Sequence, residues 1–170
     1  MTKLEHLLTI LGEECHELNM AIAVTMSLND ELFNENFILE FLHIESIIEM
    51  LSDETSIINL DNVKIMKELK TTDKMFLVST LIGVTSKLGI IASKSLRFGL
   101  EDSHPNEPTK TNALNIIELF NEIKYIVSLL QKLNYIPQIG ELKRNKIKET
   151  KKEKVLYYLE YSKEKGLCKN

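Results

Sequence analysis

Residues 7–23 read LLTILGEECHELNMAIA, and residues 77–93 read LVSTLIGVTSKLGIIAS. In both stretches an apolar residue recurs every three or four positions, which is the period of an α-helix with one buried face. The two stretches align at an offset of 70 residues. A second pair, FLHIESIIEML at 41–51 and FNEIKYIVSLL at 120–130, aligns at an offset of 79. The sequence therefore predicts an all-α fold that contains an internal repeat, with chance similarity between amphipathic helices as the competing explanation.

Two amphipathic helix pairs can bury their apolar faces together by closing a four-helix bundle. We expect the first pair to cover residues 4–52 and the second to cover 73–134, within a single domain of 1–170. A short helical piece is expected around 63–69. A basic C-terminal segment, 140–170, should form one more helix from about Lys146 to Lys165.

Composition sets the class of protein. With 170 residues, 44% hydrophobic and 27% charged, the chain is typical of one globular domain. It has no uninterrupted apolar run near the roughly 18 residues of a membrane span, so no membrane partner is expected. Cys15 and Cys168 lie at opposite ends without paired spacing, which favours a reducing compartment and predicts a cytoplasmic protein.

The charge is distributed unevenly along the chain. The net charge is −10 over residues 1–70 and +5 over residues 140–170. The acidic part suits cations, and the basic end suits either anions or the acidic part of the same molecule. The basic end lacks the interleaved glycine and aromatic residues of common nucleic-acid modules, so a nucleic-acid partner is not expected. Glu45 and Glu49 are interpreted as part of a solvated helix face.

The segment EECHEL at residues 13–18 is the first candidate site. On a helix, Glu17 lies beside both Glu13 and Glu14, and like charges at this spacing repel one another by about 0.2–0.5 kcal/mol per pair. A hard cation bound by oxygen ligands would remove that repulsion. The alternative is a solvated acidic face without a ligand.

These residues resemble a known motif. EECHEL is similar to the EExxE motif of the all-α nucleoside triphosphate pyrophosphatases, the superfamily that includes MazG and the dimeric dUTPases. The segment ASKSLRFGLEDSHPNEPTKTN, residues 92–112, resembles the SKxLRFG segment and polar loop that follow this motif in phage and bacterial MazG-like proteins. The resemblance covers roughly residues 5–51 and 75–133.

The resemblance implies a Mg²⁺-dependent hydrolase that converts a nucleoside triphosphate to the monophosphate and pyrophosphate. It also implies a homo-oligomer, because relatives assemble as dimers or tetramers. Glu14 and Glu17 would be catalytic. The implied metal ligands are Glu13, Glu14, Glu17, Glu40 and His43. The implied nucleotide- or phosphate-binding residues are Lys94, Arg97 and Asn112, although Asn112 also suits a helix cap.

Each copy departs from the family pattern in a different way. In the first copy His43 stands where the family has aspartate, which suits Mn²⁺, Fe²⁺ or Zn²⁺ better than Mg²⁺, and no SKxLRFG segment follows. In the second copy Gly83, Val84 and Lys87 replace the EExxE glutamates. One hypothesis is an enzyme with a composite site, made of acids from the first copy and Lys94 and Arg97 from the second. The other is a catalytically degenerate relative, for instance phage-encoded, that binds or sequesters a nucleotide or nucleotide-like signal.

Overall fold

The computed structural model describes residues 1–28, 33–60, 69 and 71–168, with the backbone alone for residues 25–28, 33 and 34. These residues form five helices: α1 Lys3–Leu28, α2 Phe33–Glu54, α3 Lys74–Phe98, α4 Asn112–Lys132 and α5 Glu141–Glu164. The described ranges contain no strand beyond one isolated bridge, Ser103–Thr111. The predicted all-α fold is confirmed. The short helix expected at 63–69 lies outside the described residues except for Leu69, which is not helical.

Polar side chains set several helix ends. Before α1, the Thr2 Oγ1 accepts from the Glu5 N–H at 3.2 Å, and Glu5 Oε2 accepts from the Thr2 N–H at 2.7 Å, which makes a reciprocal capping box. Asp73 and Thr111 cap α3 and α4 by accepting the backbone N–H three residues further on. Gly99 ends α3 with φ 90°, a conformation that glycine adopts without a steric penalty.

The helices pack around one apolar core. α1 lies between α2 and α3, α4 packs against α3, and α5 packs against α2. At Gly89 of α3, an added Cβ would lie 3.4 Å from Cys15 Cβ of α1, so the two helices approach closely there. The two helix pairs therefore share one core, whose fully buried side chains include Leu7, Leu11, Leu18, Ile44, Ile48, Leu77, Leu81, Leu88, Ile116, Ile123 and Leu130.

Two helices begin earlier than the periodicity indicates. α2 begins at Phe33, inside a polar stretch, because its first turns carry Phe37 and Ile38 into the core. α5 begins at Glu141, five residues before the predicted start. An ion pair between Arg144 and Glu45 stabilises its first turns, and the period of apolar residues does not predict such a contact.

α3 is long and apolar enough to span a membrane by length and composition alone. The core helix of a soluble protein meets the same criterion, and α3 buries Leu77, Leu81 and Leu88 in the bundle. The fold is compatible with a soluble protein, and the cytoplasmic location stays a prediction.

Candidate metal centre

Four side chains from α1 and α2 converge on one point. They are Glu14 and Glu17 of α1 and Glu40 and His43 of α2, and each offers one ligand atom within 4.8 Å of the others. Each pair has i, i+3 spacing, which places both members on the same face of their helix. We call these four residues the carboxylate cluster. The family resemblance implied that all four are metal ligands.

The donor atoms of the carboxylate cluster fit a small divalent cation. His43 Nδ1 lies 3.0 Å from Glu40 Oε2 and 3.2 Å from Glu14 Oε2. Neighbouring ligands of an octahedral ion with bonds of about 2.1 Å are about 3.0 Å apart, which is close to both distances. The buried Glu14 Oε2 has the His43 imidazole as its ion-pair partner and accepts no hydrogen bond from described residues outside the cluster, although its residue is only 3% exposed. A buried carboxylate oxygen without a hydrogen bond can be satisfied by a cation.

The cluster is buried at one end and open at the other. Glu14 lies inside, Glu40 and His43 are partly buried, and Glu17 is exposed. Burial and the neighbouring carboxylates of Glu14 and Glu40 raise the pKa of Glu17. Burial opposes ionisation of Glu14, but hydrogen bonds and charges from His43 and Lys151 outweigh it and lower its pKa. The inner carboxylate is thus held as an anion, while the outer one accepts a proton more readily than a free glutamate.

A lysine from α5 also reaches the cluster. The Lys151 ammonium contacts Glu14 Oε1, and the lysine residue is only 8% exposed. Sequence reasoning did not single out this residue. The sequence pattern that could have identified Lys151 is a spacing of three or four residues along α5. This spacing places basic and apolar residues on one face of the helix: Arg144, Lys148, Lys151 and Val155.

Further ion pairs bind α5 to α2. Arg144 Nη2 donates to both carboxylate oxygens of Glu45, at 2.6 and 2.7 Å. Lys148 contacts Glu49, and Lys152 lies 3.0 Å from the other oxygen of Glu49. The interpretation of Glu45 and Glu49 as a solvated face is wrong, because Glu45 is only 5% exposed and both carboxylates are paired. Of the two partners considered for the basic end, the acidic part of the same molecule is the one that it contacts.

Glu13 lies apart from the cluster. It is exposed on α1, about 100° around the helix axis from Glu14. Of the five expected metal ligands, Glu13 therefore lies outside the group that converges in the described residues, and the other four are Glu14, Glu17, Glu40 and His43.

The predicted phosphate-binding residues lie elsewhere. Arg97 lines a groove between α1 and α3 with Gly12, His16 and Asn19. Those α1 residues are centred about 180° around the helix from Glu14 and Glu17, so the groove and the cluster flank α1 on opposite sides. Lys94 lines another cleft, between α3 and α4. Within one chain, the structure does not bring Lys94 or Arg97 to the carboxylates.

Asn112 has a structural contact. Its Nδ2 donates to the Gly99 carbonyl at 2.8 Å, and the residue is 6% exposed. Beside it, Thr111 caps α4. The Asn112 amide thus joins the end of α3 to the start of α4, and the cap of α4 is Thr111 and not Asn112.

The cleft between α3 and α4 is the counterpart of the carboxylate cluster in the second helix pair. At the repeat offsets, Lys87, Leu119 and Glu122 correspond to Glu17, Glu40 and His43, and all three line this cleft of about 390 Å³. An ammonium and an apolar side chain stand where the first pair has the carboxylates of Glu17 and Glu40. The cleft of the second pair therefore has a different charge pattern from the carboxylate cluster.

His43 should make the stability of the metal-free protein depend on pH. Burial lowers the pKa of His43, but its contacts with Glu14 and Glu40 outweigh burial and raise the pKa above 6.5. The protonated ring thus contributes stability that is complete below pH 6.5 and is lost as pH rises through the folded-state pKa. We expect the free energy of unfolding in EDTA, measured with urea from pH 6 to 9, to fall more in the wild type than in His43→Gln. Equal pH dependence in the two proteins would contradict this.

No protein-family model, curated protein or solved structure matches this chain.

Proposed function

We propose that this protein is a metal-dependent nucleoside triphosphate pyrophosphohydrolase whose centre is the carboxylate cluster. The observation that carries the proposal is the convergence of Glu14, Glu17, Glu40 and His43 around a buried oxygen that accepts no hydrogen bond from described residues outside the cluster. Glu14 and Glu17 belong to the EExxE-like segment, and His43 stands where the family has aspartate. Mn²⁺ is the first metal to test, since an imidazole nitrogen replaces one carboxylate of the Mg²⁺ pattern.

The four residues differ in environment, and so we assign them different roles. Glu14, Glu40 and His43 would hold the cation, with Glu14 kept ionised by its cationic neighbours. A bound divalent cation lowers the pKa of a coordinated water and neutralises phosphate charge. Glu17 is the exposed member, and its raised pKa suits it to accept a proton from attacking water. Attack at the α-phosphorus would release pyrophosphate and leave the nucleoside monophosphate.

The test is an assay of pyrophosphate release over a panel of NTPs and dNTPs, each with Mn²⁺ or Mg²⁺. We expect turnover with Mn²⁺, and a decrease of at least about 100-fold in Glu17→Gln, because a positioned general base contributes about 10²–10⁴-fold. Glu13→Gln is the matched control, one exposed carboxylate on the same helix, and should retain the wild-type rate. Absence of pyrophosphate with every substrate, from protein that binds Mn²⁺, would contradict the hydrolase.

A second candidate is a nucleotide-binding protein without turnover. Two observations favour it: the Lys151 ammonium contacts Glu14, and Lys94 and Arg97 line clefts away from the acids. This candidate predicts that a nucleotide raises the melting temperature in EDTA, and that Arg97→Ala removes the effect. The hydrolase instead predicts that stabilisation by nucleotide requires the metal. Homo-oligomerisation stays a prediction under both candidates.

A further inference from the structure

Lys151 is unusual among the cations of α5 because it is buried against the carboxylate cluster itself. Arg144, Lys148 and Lys152 pair with Glu45 and Glu49 of α2, whereas Lys151 crosses to Glu14 of α1. Only 9% of its side chain is exposed. An ammonium this buried is normally paired with a carboxylate, and this one is paired with the carboxylate that also offers Oε2 to the cluster.

The two oxygens of Glu14 face different neighbours. Oε1 contacts the Lys151 ammonium, and Oε2 lies 3.2 Å from His43 Nδ1. A single divalent cation can use Oε2 while Lys151 keeps Oε1. A second divalent cation bound to the other oxygen of Glu14 would need Oε1, and the ammonium already occupies that position.

We infer that Lys151 is an internal cation of the metal centre, which neutralises part of the cluster, restricts it to one divalent ion and weakens the binding of that ion. The inference rests on the metal centre proposed above. Like charges repel strongly at short range in a partly buried site, so a fixed ammonium beside Glu14 disfavours an incoming dication.

Lys151→Met should therefore bind Mn²⁺ more tightly than the wild type. We expect the association constant, measured by calorimetric titration at low ionic strength, to rise by at least about tenfold. Lys151→Arg retains the charge and should stay within about threefold of the wild type. The wild type should bind one Mn²⁺ per chain.

Lys148→Met separates the charge effect from the docking of α5. It removes another poorly exposed lysine of the same helix, whose partners are Glu49 and Glu45 rather than Glu14. We expect its Mn²⁺ affinity to match the wild type. A gain equal to that of Lys151→Met would overturn the inference, because the effect would then come from loosening α5.

Removal of Lys151 leaves Glu14 buried without its ammonium, so Lys151→Met is expected to be less stable in EDTA. Mn²⁺ should then raise the melting temperature of this variant more than that of the wild type, since the dication replaces the missing charge. If the variant does not fold in EDTA, refolding in Mn²⁺ provides the same test. Failure to fold under both conditions, with Lys151→Arg folding normally, would overturn the inference.

The outcomes also separate this inference from the proposal on which it rests. If neither the wild type nor Lys151→Met binds Mn²⁺, the metal centre itself is wrong. If both bind Mn²⁺ with the same affinity, or the variant binds it more weakly, the centre stands and the role of Lys151 is wrong.

Discussion

Glu14→Gln is expected to lower the affinity for Mn²⁺ by at least about 100-fold, because loss of residues that only support metal ligands already costs about 10–100-fold. Glu14 is the innermost carboxylate of the cluster, 3% exposed, and its Oε2 accepts no hydrogen bond from described residues outside the cluster. Replacing one oxygen by an amide nitrogen removes the negative charge while retaining the shape. Calorimetric titration with MnCl₂ measures the effect directly, and pyrophosphate release should fall with it.

Glu13→Gln is the matched control for this prediction. The two residues are adjacent in the chain and chemically identical, but Glu13 is exposed and outside the cluster. We expect its Mn²⁺ affinity to stay within about twofold of the wild type. A comparable loss in both variants would mean that the metal is attracted by the general acidity of α1 and not by the carboxylate cluster. Circular dichroism and thermal melting of Glu14→Gln would establish that the variant retains its helices.

Arg144→Ala is expected to lower the free energy of unfolding by about 1–3 kcal/mol, since it leaves the buried Glu45 without its bidentate partner. The side chain of Glu45 is 6% exposed, and the nearest remaining cation is Lys148, 3.7 Å from Oε2. The value stays below the roughly 3–5 kcal/mol of a fully buried pair, because 37% of the Arg144 side chain is exposed. Urea unfolding followed by far-ultraviolet circular dichroism provides the measurement.

Lys143→Ala is the control for the arginine variant. Lys143 precedes Arg144 on α5 and pairs with Glu35 at 3.3 Å, but both side chains are well exposed. A pair of this kind contributes about 0–1 kcal/mol, so little change is expected. Adding Glu45→Gln to Arg144→Ala should recover part of the lost stability, because it removes the unpaired buried charge. If Lys143→Ala lowered the free energy of unfolding as much as Arg144→Ala, the burial of Glu45 would not explain the effect of the arginine variant.

The sequence carried enough information for the bundle because its apolar residues recur at a helical period in two similar pairs. The sequence was also sufficient to predict which of the two adjacent glutamates, Glu13 or Glu14, faces inward. The core face of α1, marked by Leu7, Leu11 and Leu18, fixes the rotation of the helix. Glu14 is three residues from Leu11 and four from Leu18, at the edge of that face, whereas Glu13 points away. The distinction between the two glutamates was therefore available from the sequence, although the motif alone included both.

The position of α5 could not be obtained in the same way. Its contacts with α2 are mainly ion pairs, and a row of lysines has the same pattern on a solvated face as on a paired one. The partners are 99 residues apart for Arg144 and Glu45, and 137 residues apart for Lys151 and Glu14. No local sequence pattern predicts ion pairs between residues so far apart in the chain. Similarly, the repeat indicated that Lys94 and Arg97 belong to the second copy, but not that α1 separates Arg97 from the acids.

The long separation between Lys151 and Glu14 also bears on the order of folding. Contacts between α1 and α2 join neighbouring parts of the chain, while α5 must return across more than 100 residues to meet α1. Long loop closures are entropically costly, and contacts of this kind form late. α5 is also synthesised after the other four helices. During synthesis, the four side chains of the carboxylate cluster can therefore meet before Lys151 arrives. Under the metal centre proposed above, a metal ion would have its least contested access to the cluster in the newly made chain.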